Sequence, residues 1–336
     1  MDEYRIGQHL YRRLRIILTS NGCSRPWCTM CPLPNESLAH RSSKVTGQLA
    51  IAQVRHALQS VDKPEMVCIY NDGSFFAEAE LIRETRLAIV DLVRASGATV
   101  LMVESLPEFI NKTTVGEVAA RLSGRTQLVV GLGLQSADRI VREVCIASPV
   151  TEDAFRRALS VLSRAGVDAK TYLMFKPPFL TEDEAVSDVL SSVAWVSELG
   201  TVDITVCPTR VASGTVVHDL YRLGLYSPPA LVSVAQAMQC LHDSGLHARV
   251  SLFNVASSDF PSITPRVCAS CGPRTVAALT EYNRDPRPGI LNGVGCNACA
   301  AAACREIEDD VFCLQLEQRI CAYLEAVAQP IAQSSR

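Results

Sequence analysis

The chain has 336 residues, 48% of them hydrophobic, enough to bury one barrel-sized core with an appendage or two ordinary domains. A net charge of −3 and a pI near 6.1 argue against a surface built for phosphate backbones and favour a small molecule over tRNA as the partner. Met1-Asp2-Glu3-Tyr4 opens acidic with no apolar segment behind it, and no apolar run reaches membrane-spanning length, so a cytoplasmic protein without signal peptide or membrane span is expected.

The first expected element is a β-branched strand, Leu14–Ser20, which stops at Asn21-Gly22. Cys23, Cys28 and Cys31 follow it with the spacing C-x4-C-x2-C. A helix is expected over 47–61, and then a buried strand, Met66–Tyr70, which ends in Asn71-Asp72-Gly73-Ser74. Leu81, Leu87, Val90 and Leu92 mark an amphipathic helix over 79–95. Strand Thr99–Val103 ends at Glu104-Ser105, and strand Gln127–Val130 leads into Gly131-Leu132-Gly133-Leu134-Gln135-Ser136. A helix over 151–165 precedes strand Val167–Phe175, and Pro177-Pro178 stops that strand because proline cannot donate to the ladder. Thr181 and Glu184 have capping-box spacing for a helix reaching Leu199. Strand Val202–Val206, a helix over 229–244 and a strand over 248–253 complete the series.

Strand–helix alternation repeated six times implies parallel strands with crossover helices. Each polar group sits just past the C-terminal end of a strand, where a (β/α) barrel assembles its site. The expected fold is therefore α/β, a partial (β/α)6 TIM-type barrel over residues 1–258. From 259 to 336 a Cys-rich extension replaces the rhythm with Pro261, Pro265, Pro273, Pro286 and Pro288, and ends in a helix over 300–328.

Fourteen cysteines in a cytosolic chain do not read as a disulfide framework. Cys68, Cys145, Cys240, Cys313 and Cys321 lie singly in apolar or amphipathic stretches and read as packing residues. The N-terminal trio is different: thiolates hold iron–sulfur clusters, and three of them leave one iron of a [4Fe–4S] cluster open to a small molecule. A zinc site would need a fourth ligand, and none lies close before His40. Cys268, Cys271, Cys296, Cys299 and Cys304 form a second set, in which four could bind zinc or a second [4Fe–4S] cluster. Gly131-Leu132-Gly133 does not fit a dinucleotide loop, since the final glycine and the helix start are wrong. Glu104 and Lys176, taken alone, read as solvated charges at a rim rather than as functional groups, and Cys207 past the sixth strand as a substrate-facing thiol or a packing residue.

A cysteine trio after strand one, a glycine–serine turn after strand two and a glutamate after strand three together resemble the radical S-adenosylmethionine (SAM) superfamily. The first cysteine gap is one residue longer than that superfamily's usual C-x3-C-x2-C. Asp72-Gly73-Ser74-Phe75-Phe76, the run from Glu104 to Ile110, Lys176-Pro177-Pro178-Phe179-Leu180-Thr181-Glu182, Tyr226-Ser227-Pro228-Pro229 and the paired C-x2-C tail occur in the order seen in the radical SAM subunit of archaeosine synthase. That group is related to the elongator-type radical SAM proteins. The resemblance implies that Cys23, Cys28 and Cys31 bind a [4Fe–4S] cluster whose free iron chelates SAM. It implies that Asp72, Gly73 and Ser74 receive the SAM amino group, and that Glu104, Gln135 and Ser136 contact ribose and carboxylate. Lys170, Tyr172 and Lys176 would line the SAM or substrate pocket, with Lys176 and Cys207 as catalytic candidates. The implied reaction cleaves SAM to a 5′-deoxyadenosyl radical, which abstracts hydrogen from a nucleoside- or nucleobase-type substrate. C–N cleavage of a lysine-type adduct and sulfur insertion both follow from the resemblance, as does a tRNA base-modifying lyase acting with a partner subunit. An electron donor such as a flavodoxin or ferredoxin is implied as well. The reading from another class is a non-catalytic metal-binding partner protein that keeps the barrel. Such a relic would be expected to lose a cluster cysteine or the glycine turn, and this chain has both.

Overall fold

The structure is a computed structural model that describes residues 1–36, 45–122, 124–201, 203–252, 255, 262–299 and 314–333. The strands are β1 (Asp2–Ile6), β2 (His9–Ile17), β3 (Met66–Tyr70), β4 (Val100–Ser105), β5 (Gln127–Gln135), β6 (Asp168–Phe175), β7 (Asp203–Pro208), β8 (Val211–Ala212), β9 (Arg249–Val250) and β10 (Ser262–Ile263). Eight of them form one sheet in the order β1-β2-β3-β4-β5-β6-β7-β9, and β8 pairs with β10 separately. The ladders β2/β3, β3/β4 and β4/β5 are parallel, with Ile16 opposite Ile69, Ile69 opposite Val103 and Val103 opposite Val130. An order that never reverses is that of a partial barrel, whereas a doubly wound sheet would change direction at a switch point. The expected fold class holds.

Contacts divide the chain into two compact units. The first comprises Met1–Gln135, Ser148–Tyr172 and Val196–Thr205. Its core includes Met66 and Cys68 of β3, Val100 and Met102 of β4, and Val129 of β5, joined by Tyr4 and Ile6 of β1. Alternate residues of each strand share that face, as the two-residue side-chain period requires. The sequence reading missed β1 and the first half of β2, because Asp2, Arg5, Arg12, Arg13 and Arg15 break the apolar signal. The charges pair: β1 runs antiparallel to β2 with Asp2 opposite Arg13, and the Arg13 guanidinium donates to both Asp2 oxygens at 2.9 and 2.7 Å. Tyr4 on this edge strand reaches Asp203 on β7, donating at 3.0 Å, so the sheet curls within this unit. The helix expected from Ala79 begins at Arg83, since Ser74 to Leu81 form turns closed by Ala77 N–H to Ser74 C=O (3.1 Å) and Leu81 N–H to Ala77 C=O (2.9 Å). Lys112–Leu122, between β4 and β5, is a helix that the sequence reading left unassigned.

The second unit comprises Ser136–Ala147, Leu173–Trp195 and Val206–Arg336. The capping box is present: Thr181 N–H donates to Glu184 at 2.8 Å and Glu184 N–H donates to the Thr181 hydroxyl at 3.3 Å. Arg319, on the C-terminal helix Leu316–Gln333, is 3% exposed; it donates to the Phe179 carbonyl at 2.8 Å and pairs with Glu184. The extension is less loop-rich than its prolines suggested, because Pro273 lies in the first turn of the helix Gly272–Arg284, where its missing N–H costs nothing. Asn283 anchors that helix to β9 by giving and receiving one hydrogen bond with Val250, at 2.7 and 2.9 Å. The terminal helix begins at Leu316 among the described residues; its expected start near 300, Cys304 and Cys313 lie outside them, as do Val202, Phe253 and Pro261. No described helix is long and apolar enough to cross a membrane.

Candidate functional site

The cysteine loop is tied at both ends by one side chain. Asn21 donates to the Val45 carbonyl at 2.9 Å and accepts the Val45 N–H at 2.8 Å. Gly22 takes a φ of +83°, a conformation open to glycine, and its N–H meets the Ser20 hydroxyl at 3.0 Å. Cys23, Cys28 and Cys31 are all half-buried. Burial pushes the Cys28 thiol up to about 11 and Cys31 up to about 12, and the charge of neighbouring cysteines adds to both. A cationic metal centre reverses this balance and draws the protons off. Among the described residues, the group of three or more ligand side chains whose atoms all lie within 4.8 Å of one another is Cys268, Cys271, Cys296 and Cys299. Cys23, Cys28 and Cys31 are not such a group. They are close enough for each thiol to feel the others. That donor set fits a cluster, in which each thiolate takes a different iron.

Glu80, which the sequence reading passed over, joins this loop to the turn after β3. Its carboxylate accepts the Ser24 N–H at 2.8 Å, the Ser24 hydroxyl at 2.6 Å and the Ser74 N–H at 2.5 Å. A Cβ on Gly73 would stand 2.0 Å from Glu80 Oε2 and 3.2 Å from the Cys23 Cα, so only glycine fits. Ser74 is fully buried, and its hydroxyl accepts the Leu106 N–H at 3.0 Å, tying the turn to the segment after β4. Of the described non-glycine residues with positive φ, Asp72 (+55°), Gln135 (+73°) and Lys176 (+54°) lie at or just past the C-terminal ends of β3, β5 and β6. Strained backbone of this kind gathers at functional sites.

Glu104, the penultimate residue of β4, is hydrogen-bonded to Tyr172 of β6. Desolvation pushes its carboxyl up to about 7, against the Tyr172 hydrogen bond and the charge of Lys170. Gly131 of β5 makes the room: a Cβ there would meet the Tyr172 ring at 2.7 Å and the Glu104 Cγ at 3.2 Å. Lys170 is 3% exposed; its ammonium donates to Thr205 at 2.6 Å, to Asp203 at 3.3 Å and to the Tyr4 hydroxyl.

Ser136, in the second unit, donates to Asp188 at 2.6 Å and accepts the Asp138 N–H at 3.0 Å. Lys176 is fully buried and donates to Glu182 at 2.7 Å and to Ser227 at 3.2 Å. Cys207, near the end of β7, is half-buried. The four C-terminal thiols converge from the segment before the helix Gly272–Arg284 and from residues 296–299, while Cys304 lies outside the described residues. Backbone N–H groups of Cys271 and Ser270 draw Cys268 down to about 6.

No protein-family model matches the chain. The archaeosine synthase subunit beta of Thermococcus kodakarensis is 30% identical over 233 residues, 67% of this chain and 70% of that protein. The chain belongs to the archaeosine synthase subunit beta family. The family's Methanosarcina acetivorans member is 27% identical over 294 residues, 85% of this chain and 82% of that protein. Protein MJ0550 of Methanocaldococcus jannaschii is 29% identical over 238 residues, 68% of this chain, and the chain spans 64% of its length. In fold, the chain is similar to Elp3 of Methanocaldococcus infernus, with a TM-score of 0.53, 12% identity and coverage of 85% of this chain and 64% of that one.

Proposed function

We propose that the protein is the radical-generating subunit of an enzyme that cleaves a C–N bond in a lysine-type adduct on a nucleoside or nucleobase. Cys23, Cys28 and Cys31 would hold a [4Fe–4S] cluster, Asp72, Gly73 and Ser74 the SAM amino group, and Glu104 and Gln135 its ribose and carboxylate. Bound there, cluster and SAM supply a 5′-deoxyadenosyl radical for hydrogen abstraction. Tyr172 and Lys170 would act behind Glu104, setting its position and proton affinity. Lys176 would hold the strained turn after β6, with Cys207 as the thiol candidate near the end of β7. Residues 1–258 would form the radical-generating part and 259–336 a metal-binding extension. The name of the Thermococcus and Methanosarcina relatives, a subunit beta, supports a second subunit as partner. A cytoplasmic setting and a flavodoxin- or ferredoxin-type donor complete the proposal.

The observation that carries the reading is the Glu80 carboxylate, which fastens the three-thiol loop to the Gly73-Ser74 turn through three hydrogen bonds of 2.5 to 2.8 Å. The test is anaerobic reconstitution followed by reduction with SAM, with and without a nucleoside carrying a lysine-type adduct. 5′-Deoxyadenosine should form, rise with that substrate, and vanish in Cys28→Ala. Formation at the wild-type rate in Cys28→Ala would overturn the assignment of the cluster.

A further inference from the structure

We infer that Cys268, Cys271, Cys296 and Cys299 hold a single zinc ion, as a mechanical clip rather than a second cluster. The decisive quantity is the spacing of the sulfurs. Cys268 and Cys296 Sγ stand 3.6 Å apart, Cys271 and Cys299 3.4 Å, and Cys296 and Cys299 3.8 Å. All four atoms lie within 4.8 Å of one another. Four thiolates around one ion at a Zn–S distance of about 2.3 Å have tetrahedral edges of about 3.8 Å. In a [4Fe–4S] cluster each cysteine binds a different corner, and the sulfurs stand roughly 6 Å apart. To admit a cluster, every pair would have to move apart. The four sulfurs already complete a tetrahedron, which leaves no coordination position for Cys304. Between divalent iron and zinc, a site of fixed ligands binds zinc more tightly.

What the clip holds follows from the chain beside it. Cys271 is the N-cap of the helix Gly272–Arg284, and Gly272 N–H donates to the Cys268 carbonyl at 2.7 Å, so the ion fixes the start of that helix. Arg266, two residues before Cys268, is in register with the chain at Pro229 and Leu231 through hydrogen bonds of 2.8 and 3.0 Å. Its guanidinium stands 3.6 Å from Glu182, whose carboxylate accepts the fully buried Lys176 ammonium at 2.7 Å and the Ala230 N–H at 2.8 Å. A cavity of about 230 Å³ lies against this chain of contacts, lined by Glu182, Arg266, Cys268, Cys271 and Cys299 among others. Removing the ion frees the segment that carries Arg266 and loosens the brace on Lys176. A centre of this kind has no sulfide to give up, so the proposal assigns the chain a reaction without sulfur insertion.

The full chain is purified anaerobically, reconstituted, and assayed for zinc and iron, as wild type and as Cys296→Ser/Cys299→Ser. One zinc with about four irons is expected in the wild type, and loss of the zinc with the iron retained in the variant. About eight irons without zinc, a fifth iron in place of zinc, or about four irons lost from the variant would each overturn the clip. Because the variant can fail to fold, wild-type protein exchanged with Co²⁺ gives an independent reading. Intense ligand-field absorption of a tetrahedral tetrathiolate is expected, and its absence counts against the site. Iron at the first cluster reports on the proposed function separately, so failure of one reading is visible without failure of the other.

Discussion

The carboxylate of Glu80 and residue Ser24 are joined twice, through the Ser24 N–H at 2.8 Å and its hydroxyl at 2.6 Å. Ser24 follows the first cysteine of the trio directly, so Glu80 fixes where Cys23 points. Hydrogen bonds to a charged group contribute about 1.5–3 kcal/mol each, and Glu80→Ala removes them together with the bond to Ser74. The variant should take up less than half of the wild-type iron at the first site on reconstitution. A full iron complement would show that the loop holds its shape without Glu80.

Glu104 makes stability fall as the solution turns neutral. Burial raises its carboxyl from 4.5 to about 7, so the folded chain keeps the proton more tightly than the unfolded chain does. The stabilisation is complete below 4.5 and is lost as the pH rises through about 7. Asp188, raised by desolvation to about 7, contributes with the same sign. The urea midpoint should fall across this window in the wild type and fall less in Glu104→Gln. Equal slopes would mean that Glu104 titrates as an ordinary surface carboxylate.

Gly131→Ala places a methyl group 2.7 Å from the Tyr172 ring. Overpacking of a filled site costs about 1–3 kcal/mol, and here the ring that must move is the one bonded to Glu104. Reductive SAM cleavage should drop along with stability, and Tyr172→Leu in the same chain should recover the stability while leaving cleavage low. The double-mutant cycle measures this coupling. Additive effects would show that the methyl is accommodated elsewhere.

Lys170→Met removes the cation shared by Tyr4, Thr205 and Asp203. Breaking a buried charge pair costs about 3–5 kcal/mol when the partner is left alone. Asp203 keeps the Tyr4 hydroxyl at 3.0 Å, which places the expected loss toward the lower end, about 3 kcal/mol. Thermal unfolding compared with Asp203→Asn/Lys170→Met reads it: the double variant should be more stable than Lys170→Met alone.

Much of this was legible in the sequence because the signals were local. Met66–Tyr70 and the first half of Gln127–Gln135 are buried apolar runs, Pro177-Pro178 marks the end of Asp168–Phe175, and Thr181 with Glu184 announces its own helix, whereas the continuation of β5 from Gly131 to Gln135 was not read as strand. The two cysteine sets stand out by spacing alone. β1 was not legible, because Asp2 pairs with Arg13 of β2 and the Tyr4 hydroxyl with residues beyond 168, neither of which shows along the strand itself. Glu80 was not legible as part of the site, since nothing in its neighbourhood along the chain reports that Ser24 folds against it. The positive φ of Gln135 and Lys176 has no compositional mark, as neither is glycine, asparagine or aspartate. Zinc and cluster ligands share one sequence pattern and part only in the distances between sulfurs.

The Tyr4 hydroxyl finds Asp203 across 199 residues of chain. During synthesis, the first strand therefore emerges long before the residues that anchor its side chain. Until β6 and β7 have left the ribosome, β1 and β2 form a hairpin in which the Tyr4 hydroxyl lacks Asp203 and Lys170, and the curl of the sheet must wait for them. Assembly of this barrel is thus gated by its own beginning: the residues translated first are among the last to reach their final neighbours, and a cluster loaded on the loop after β2 before that moment would sit in a half-built wall.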